Sequence, residues 1–324
     1  MTFRSIRLAL LFSCATLPLA AATAADAVFP MIVFPMVFQD GFEPGFQIVT
    51  PEIVVAPGEE ATYCYYLRTP NKATLGVQRF SSTMQAGMTH LILFSTNDSA
   101  WNDVEWQPDG TLANSGCGLG GAGGFAGWMY AAQELVAALH IPDDDGSGQP
   151  LAIEVLANRH VFVQMHVLNV TDSPMTTSAV IKAQALVPGT AYTKTSSYLA
   201  DNISFAIPPM SISSVSKICP TPAGSKFWQL STRTYHLATE AKISDGASDL
   251  VITTDWEHPA SITYAAPFHT FAPAGMTYAC TYNNPNPFTI TAGESEQTDE
   301  ACMGIGYFFP AAHPAICINN TLFP

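Results

Sequence analysis

The sequence predicts an all-β protein made of two tandem antiparallel β-sandwich domains of the jelly-roll type. Three observations lead there. Short runs rich in β-branched and aromatic residues recur along the chain, punctuated by Pro, Gly and Asn, and strands spaced in this way build sandwiches and jelly rolls. Helical periodicity is scarce, and the one helix-like stretch, around Trp128 to Leu139, is short and Ala-rich. The chain has 324 residues. Once a leader is removed, roughly 300 remain, which suits two domains of about 150 that each bury a core.

The elements follow in order. Residues 1–24 read as a signal peptide: Arg4 and Arg7 precede the apolar run Leu8 to Phe12, and Ala22-Thr23-Ala24 supplies an A-x-A cleavage site. The expected destination is secretion, extracellular or periplasmic. The run is too short to span a bilayer. A lipoprotein reading through Leu11-Phe12-Ser13-Cys14 is disfavoured by the bulky Phe12. Residues 25–45 form a Pro-rich arm with the near-repeat Val28-Phe29-Pro30-Met31 and Val33-Phe34-Pro35-Met36. Prolines this dense rule out a central strand, leaving an anchoring or sorting leader and an ordered arm on the first domain as alternatives. Strands are predicted at Ile48 to Val55, Ala61 to Leu67, Thr89 to Phe94, His160 to Leu168, Phe227 to Leu230, Leu250 to Thr254 and Gly304 to Phe309. A linker is expected between about Pro188 and Asn202, where Gly, Thr, Ser and Tyr replace alternation, so the domains fall at 46–190 and 200–324.

Charge and cysteine content narrow the function. The 26 acidic residues outnumber the 12 basic ones, for a net charge of −14. Such a chain repels nucleic acid and anionic lipid. Seven cysteines become six once Cys14 leaves with the leader: Cys64, Cys117, Cys219, Cys280, Cys302 and Cys317. In a secreted chain an even count reads as three disulfides, with 15 connectivities open. None lies in a C-x-x-C arrangement, which argues against a zinc cluster or a thioredoxin-type site. The GLGGAGG run at Gly118 to Gly124 contains a formal G-x-G-x-x-G, but it closes no strand of a βαβ unit and reads as a flexible loop. No G-x-S-x-G elbow or H-E-x-x-H is present. The acidic run Asp143-Asp144-Asp145 suits a solvated turn or a loose calcium site better than an acid/base pair.

Histidines on strands are the informative signal. His90 opens the apolar strand Met88-Thr89-His90-Leu91-Ile92-Leu93-Phe94, and His166 closes His160-Val161-Phe162-Val163-Gln164-Met165-His166. His160 and His166 share a face but sit about 20 Å apart at about 3.3 Å per residue, so they cannot bind one metal together. One of them can pair with a histidine from a neighbouring strand.

The stretch Thr89 to Phe94, THLILF, together with Val163 to Val167, VQMHV, resembles the first-copper strands of the copper type II, ascorbate-dependent monooxygenases, the family of the peptidylglycine and dopamine hydroxylases. Further segments resemble the family in the same order. They are Ala61-Thr62-Tyr63-Cys64, Trp128-Met129-Tyr130-Ala131 with Ile141-Pro142, Ile207-Pro208-Pro209, Gly275 to Cys280 with Tyr282-Asn283-Asn284, Thr298 to Cys302, and Tyr307 to Pro310. The resemblance spans about residues 48 to 320. It implies two facing β-sandwiches, each carrying one copper. One copper, on three histidines, relays electrons from ascorbate or another external reductant. The other, on two histidines and a methionine, meets oxygen and attacks a C–H bond of a small-molecule or peptide substrate. The ligand types fit, since imidazole suits both copper oxidation states and a thioether favours Cu(I). The family's arrangement also implies the pairs Cys280–Cys302 and Cys219–Cys317, leaving Cys64 with Cys117.

The ligand set departs from that pattern. Thr89 stands where the first of two adjacent histidines belongs, so His90 and His166 are the recognisable first-domain ligands. The family's H-x-H strand falls on Arg233-Thr234-Tyr235-His236-Leu237. The preferred register gives Thr234 and His236 the ligand positions; a register one residue earlier gives Arg233 and Tyr235. Only one register can face the site. Ala301 takes the methionine position, and Met303, on the same face, is a candidate ligand or a core methionine. His258 and His269 match no family ligand, although either could compensate for a lost one, while His140 and His313 sit beside prolines in loops. Two functions follow. One is a copper monooxygenase with an altered ligand set; the other is a non-catalytic secreted copper-binding or interaction module on the same scaffold. With His90, His166, His236 and Met303 as the metal candidates, at most one tightly bound copper per chain is expected.

Overall fold

In the computed structural model, residues 44–95, 107–115 and 127–323 are described. The leader, nearly all of the Pro-rich arm, Cys117 and the Gly118 to Gly124 run lie outside them. Among the described residues every regular element is a strand. Four sheets carry the architecture. An outer sheet of the first sandwich orders Gly45–Val49, Ala179–Ala185, Leu75–Met84, Leu151–Val155 and Thr193–Lys194, with Val136–His140 also paired to Leu75–Met84. Its inner partner orders Leu112–Ala113, Glu60–Arg68, His160–Leu168, Met88–Ser95 and Gly127–Ala132. The second sandwich has an inner sheet of Ser261–Thr263, Lys226–Arg233, Met303–Phe309, Ser196–Asp201, Ala315–Ile318 and Thr321–Phe323. Its outer sheet holds Ser211–Cys219, Met276–Asn284, Ala238–Ser244 and Asp249–Thr253. Pairing is antiparallel except for Thr193–Lys194 on Leu151–Val155 and Ser196–Asp201 on Ala315–Ile318.

Sequence patterning explains most of these strands. Ala179–Ala185 alternates buried and exposed positions along its length, as a strand with one wet face must. His160–Leu168 is buried at every position but its ends, because both faces of its sheet are covered. The expected strand from Ile48 to Val55 is instead two, Gly45–Val49 and Ile53–Val55, since Pro51 cannot donate to a ladder. The Ala-rich stretch from Trp128 to Leu139 is two strands, Gly127–Ala132 and Val136–His140. Its helix propensity is overridden by packing against the facing sheet, with Tyr130 stacked on Phe80 at 5.4 Å and hydrogen-bonded to Ser82 at 2.9 Å.

The expected linker is the main revision. Ser196–Asp201, inside it, is a fully buried central strand of the inner second sheet. Its Ser and Tyr content hides strand alternation: Tyr198 and Ala200 enter the second core, while Leu199 joins the core that continues into the first sandwich. Ser197 donates to the Trp128 carbonyl at 2.7 Å, and Tyr307 donates to the Met129 carbonyl at 3.2 Å. The two inner sheets thus face each other. Backbone approach is close at two glycines. A Cβ on Gly127 would collide with the Pro314 ring, and one on Gly304 would stand 3.0 Å from Met276 Sδ.

Both disulfides of the second sandwich join its outer to its inner side. Cys219 bonds Cys317, and Cys280 bonds Cys302, as the resemblance implied. Cys64 is buried, and its expected partner Cys117 is not among the described residues. The two bonds close loops of 98 and 22 residues, and longer loops lose more unfolded-state entropy on cross-linking. Replacing both members of a pair with Ala should therefore cost about 3 kcal/mol for Cys280–Cys302 and about 4–5 kcal/mol for Cys219–Cys317. Urea unfolding of the two double variants checks the ranking, and an equal or reversed order would contradict it.

Candidate functional site at the cleft between the sandwiches

Two rows of side chains face each other across the inner sheets. On the first sandwich, cross-strand register aligns Thr62, His166 and His90. On the second, it aligns Asp201, Met303 and Arg233. Between the rows lies a cavity of about 450 Å³, and a second of about 310 Å³ lies beyond it. His90, Ile92, Leu199, Arg233 and Met303 line both.

The cleft is held by a buried polar network. Glu60, at the start of its strand, accepts from His166 Nε2 at 3.0 Å and from the backbone N–H of Glu296 at 2.8 Å. Its other oxygen accepts from Ser295 Oγ at 2.8 Å. His166 Nδ1 is 2.9 Å from Thr62 Oγ1. Arg233 donates through Nη2 to Glu296 Oε1 and to His90 Nδ1, each at 3.0 Å. Glu296 Oε1 also lies 3.4 Å from His90 Nδ1. A guanidinium has only donors, so His90 Nδ1 accepts and the ring is neutral. Burial first, then the adjacent guanidinium, lowers His90 to about 3. Burial raises the Glu296 carboxyl, but the adjoining His90 and the charge of Arg233 outweigh this and hold it at about 2.

Two other carboxyls near the cleft shift the opposite way. Burial, reinforced by Glu294, raises Asp201 to about 7. Burial likewise raises Glu300 to about 7, although the N–H groups of Leu237 and Tyr235 donate to its oxygens at 2.7 and 3.1 Å.

The metal candidates meet only in part. His90 and His166 are direct cross-strand partners, their rings stacked 5.1 Å apart and 9° from parallel. Ring nitrogens aim their lone pairs in the ring plane, so stacked rings point side by side and not at one ion. Three of the four ring nitrogens already have protein partners. The preferred register of the next strand is also revised. Arg233, not His236, enters the cleft, and Thr234 is buried on the other side. The strand ends at Arg233, so His236 lies in the turn beyond it, exposed, with Nδ1 donating to the Glu296 carbonyl at 2.6 Å. Met303 is half-buried in the cleft, and Ala301 is buried with its carbonyl accepting from Tyr282 at 2.8 Å. This donor set, with a permanent cation at its centre, does not fit the copper ligation the resemblance implied.

The remaining histidines do not repair it. His269 packs between Tyr264 and Phe271, and its Nε2 is buried with no hydrogen-bond partner. His258 is exposed beside Asp255 and Glu134. His140 is an exposed strand end beside Asp143, not a loop residue, and half-buried His313 faces the Pro314 carbonyl. Among the described residues, the one place where three His, Cys, Asp or Glu donors lie within 4.8 Å of one another is the exposed group Asp255, Glu257 and His258. The 143–145 loop is a turn whose carboxylates accept from Gly146, Ser147 and Gly148.

Reading for metal ligands missed Glu60, Glu296, Glu300 and Asp201. A signal existed: with only 12% charged residues, any charge next to an apolar strand is conspicuous, and Arg233 had entered as the alternative register.

No family model and no curated protein matches this chain. Among solved structures, the major capsid protein P2 of bacteriophage PM2 is 9% identical, over 82% of this chain and 97% of that one, with a TM-score of 0.32. The PBSX exported protein XepA is 11% identical, over 81% and 86%, with a TM-score of 0.21. A chain of the Sputnik virophage is 10% identical, over 90% and 91%, with a TM-score of 0.24. Likeness at this level carries no functional argument. No helix among the described residues is long and apolar enough to cross a membrane.

Two expectations follow from the network. Arg233→Met should lower stability by about 3–5 kcal/mol, because it strands the buried charge of Glu296; a loss under 1 kcal/mol in urea unfolding would contradict this. Asp201 binds a proton in the folded chain that the unfolded chain releases, so its stabilising contribution is present below about pH 4 and is lost as pH rises through about 7. Asp201→Asn should therefore gain stability relative to wild type between about pH 4 and pH 8, and a constant difference across that window would refute it.

Proposed function

We propose that this chain is a secreted, non-catalytic binding module on the double-sandwich scaffold of the copper type II, ascorbate-dependent monooxygenases. In this reading an internal ion-pair network takes over the cleft where the family places its metals. The observation that supports it is Arg233, which occupies the H-x-H strand and bonds both His90 and Glu296. A guanidinium cannot be deprotonated at any physiological pH, so it repels a metal ion at the His90 nitrogen it touches. The alternating strands, the two disulfides and the acidic surface suit an oxidising compartment outside the cytoplasm. The cleft offers a small molecule or a peptide segment a concave, mostly apolar chamber with a few polar groups, the usual make-up of a binding site.

A second reading, a working copper monooxygenase using an external reductant, is favoured by one observation. His90 and His166 are direct cross-strand partners on the face that looks toward Met303. That reading requires Arg233 to leave and both rings to turn.

Copper analysis separates the two. After loading and exhaustive dialysis the purified protein should retain well under one copper per chain, unchanged by His90→Ala, and ascorbate should drive no oxygen uptake beyond that of free copper. One or two retained coppers per chain, with one lost on His90→Ala or Met303→Ala, would overturn the proposal in favour of the monooxygenase.

A further inference from the structure

The polar groups of the larger cavity are not equally satisfied. Among its lining residues Arg233 is paired with Glu296, His166 is bonded to Glu60, and Glu300 accepts from two backbone N–H groups. Asp201 is different. It is 6% exposed and lines the cavity, yet no described residue donates a hydrogen bond to its carboxyl group. A carboxyl this withdrawn from solvent with no protein donor is costly, and its place on the cavity wall leaves it open to a donor that enters there. Its surroundings offer no cation: Arg233, at the far end of the same row, is committed to Glu296, and the nearby charge is the exposed Glu294 at the mouth. The walls between are apolar, including Leu199, Ile316 and Ile318.

We infer that this cavity binds a small organic cation, an ammonium group on an apolar body, with the ammonium on Asp201 and the body against Leu199, Ile316 and Ile318. The inference rests on the reading of the cleft as a binding site, but not on whether copper binds. An ammonium has three donors and no acceptor, so it supplies the partners that the Asp201 carboxylate lacks. At about 450 Å³ the space lies within the range of small-molecule pockets. The apolar walls contribute by burial, and the charge-assisted hydrogen bond at Asp201 sets the sign of the ligand. Glu294 adds long-range attraction at the mouth, weakened by solvent.

The test is isothermal titration of the full mature chain in EDTA with three probes sharing one ring: cyclohexylammonium, cyclohexanol and cyclohexanecarboxylate. The ammonium should bind saturably at one site, at least tenfold tighter than the alcohol, and the carboxylate should not bind. Asp201→Asn should weaken the ammonium at least tenfold and leave the alcohol unchanged. The exposed variant Glu294→Gln should weaken it two- to threefold, which keeps the test open should Asp201→Asn fold poorly. Absence of saturable binding, equal affinity for ammonium and alcohol, or ammonium binding untouched by both variants would each overturn the inference. Because EDTA removes copper from every arm, failure here is distinct from retention of copper in the dialysis experiment, which would sink the broader reading alone.

Discussion

The structure depends on one buried contact, Arg233 lodged between Glu296 and His90. It is where the second sandwich reaches into the first. Taking three formal charges, on Glu60, Glu296 and Arg233, out of water is expensive, and here each recovers the loss through several hydrogen bonds: Glu60 holds an imidazole, a hydroxyl and a backbone N–H, and Arg233 holds a carboxylate and an imidazole. Such a network adds little net stability over an apolar seam, but it permits only one alignment of the two inner sheets. A shift of one residue in either would leave charges without partners.

The sequence displayed the fold better than the site. Alternation along Ala61 to Leu67 and Leu250 to Thr254 and the apolar runs from Thr89 and His160 marked strands directly, because side-chain period is local. Ser196–Asp201 was missed because its composition looks like a linker and its burial comes from two sheets built by distant segments. The Ala-rich region at 128–139 was misread for the same reason, packing against Phe80 and Ser82 from another strand.

At the site, the histidines were legible as strand residues and their pairing was expected, but their nitrogens' partners were not. Glu296 lies in a loop far from His90 in sequence, and nothing local says that the chain folds back to present its backbone N–H to Glu60 and its carboxylate to Arg233. The register of Arg233 to His236 was ambiguous because both options turn polar side chains toward the cleft. What decides it is the presence of a carboxylate opposite, a tertiary fact.

The strand Ser196–Asp201 carries a consequence for inheritance. It is hydrogen-bonded in the centre of the second sandwich, its Ser197 and Leu199 serve the first, and the residues just before it, Thr193–Lys194, extend the first sandwich's outer sheet. No gap separates one half from the other at which the chain could be cut and rejoined. The two sandwiches cannot be shuffled among proteins as independent cassettes; they must be copied, and must fold, as a pair.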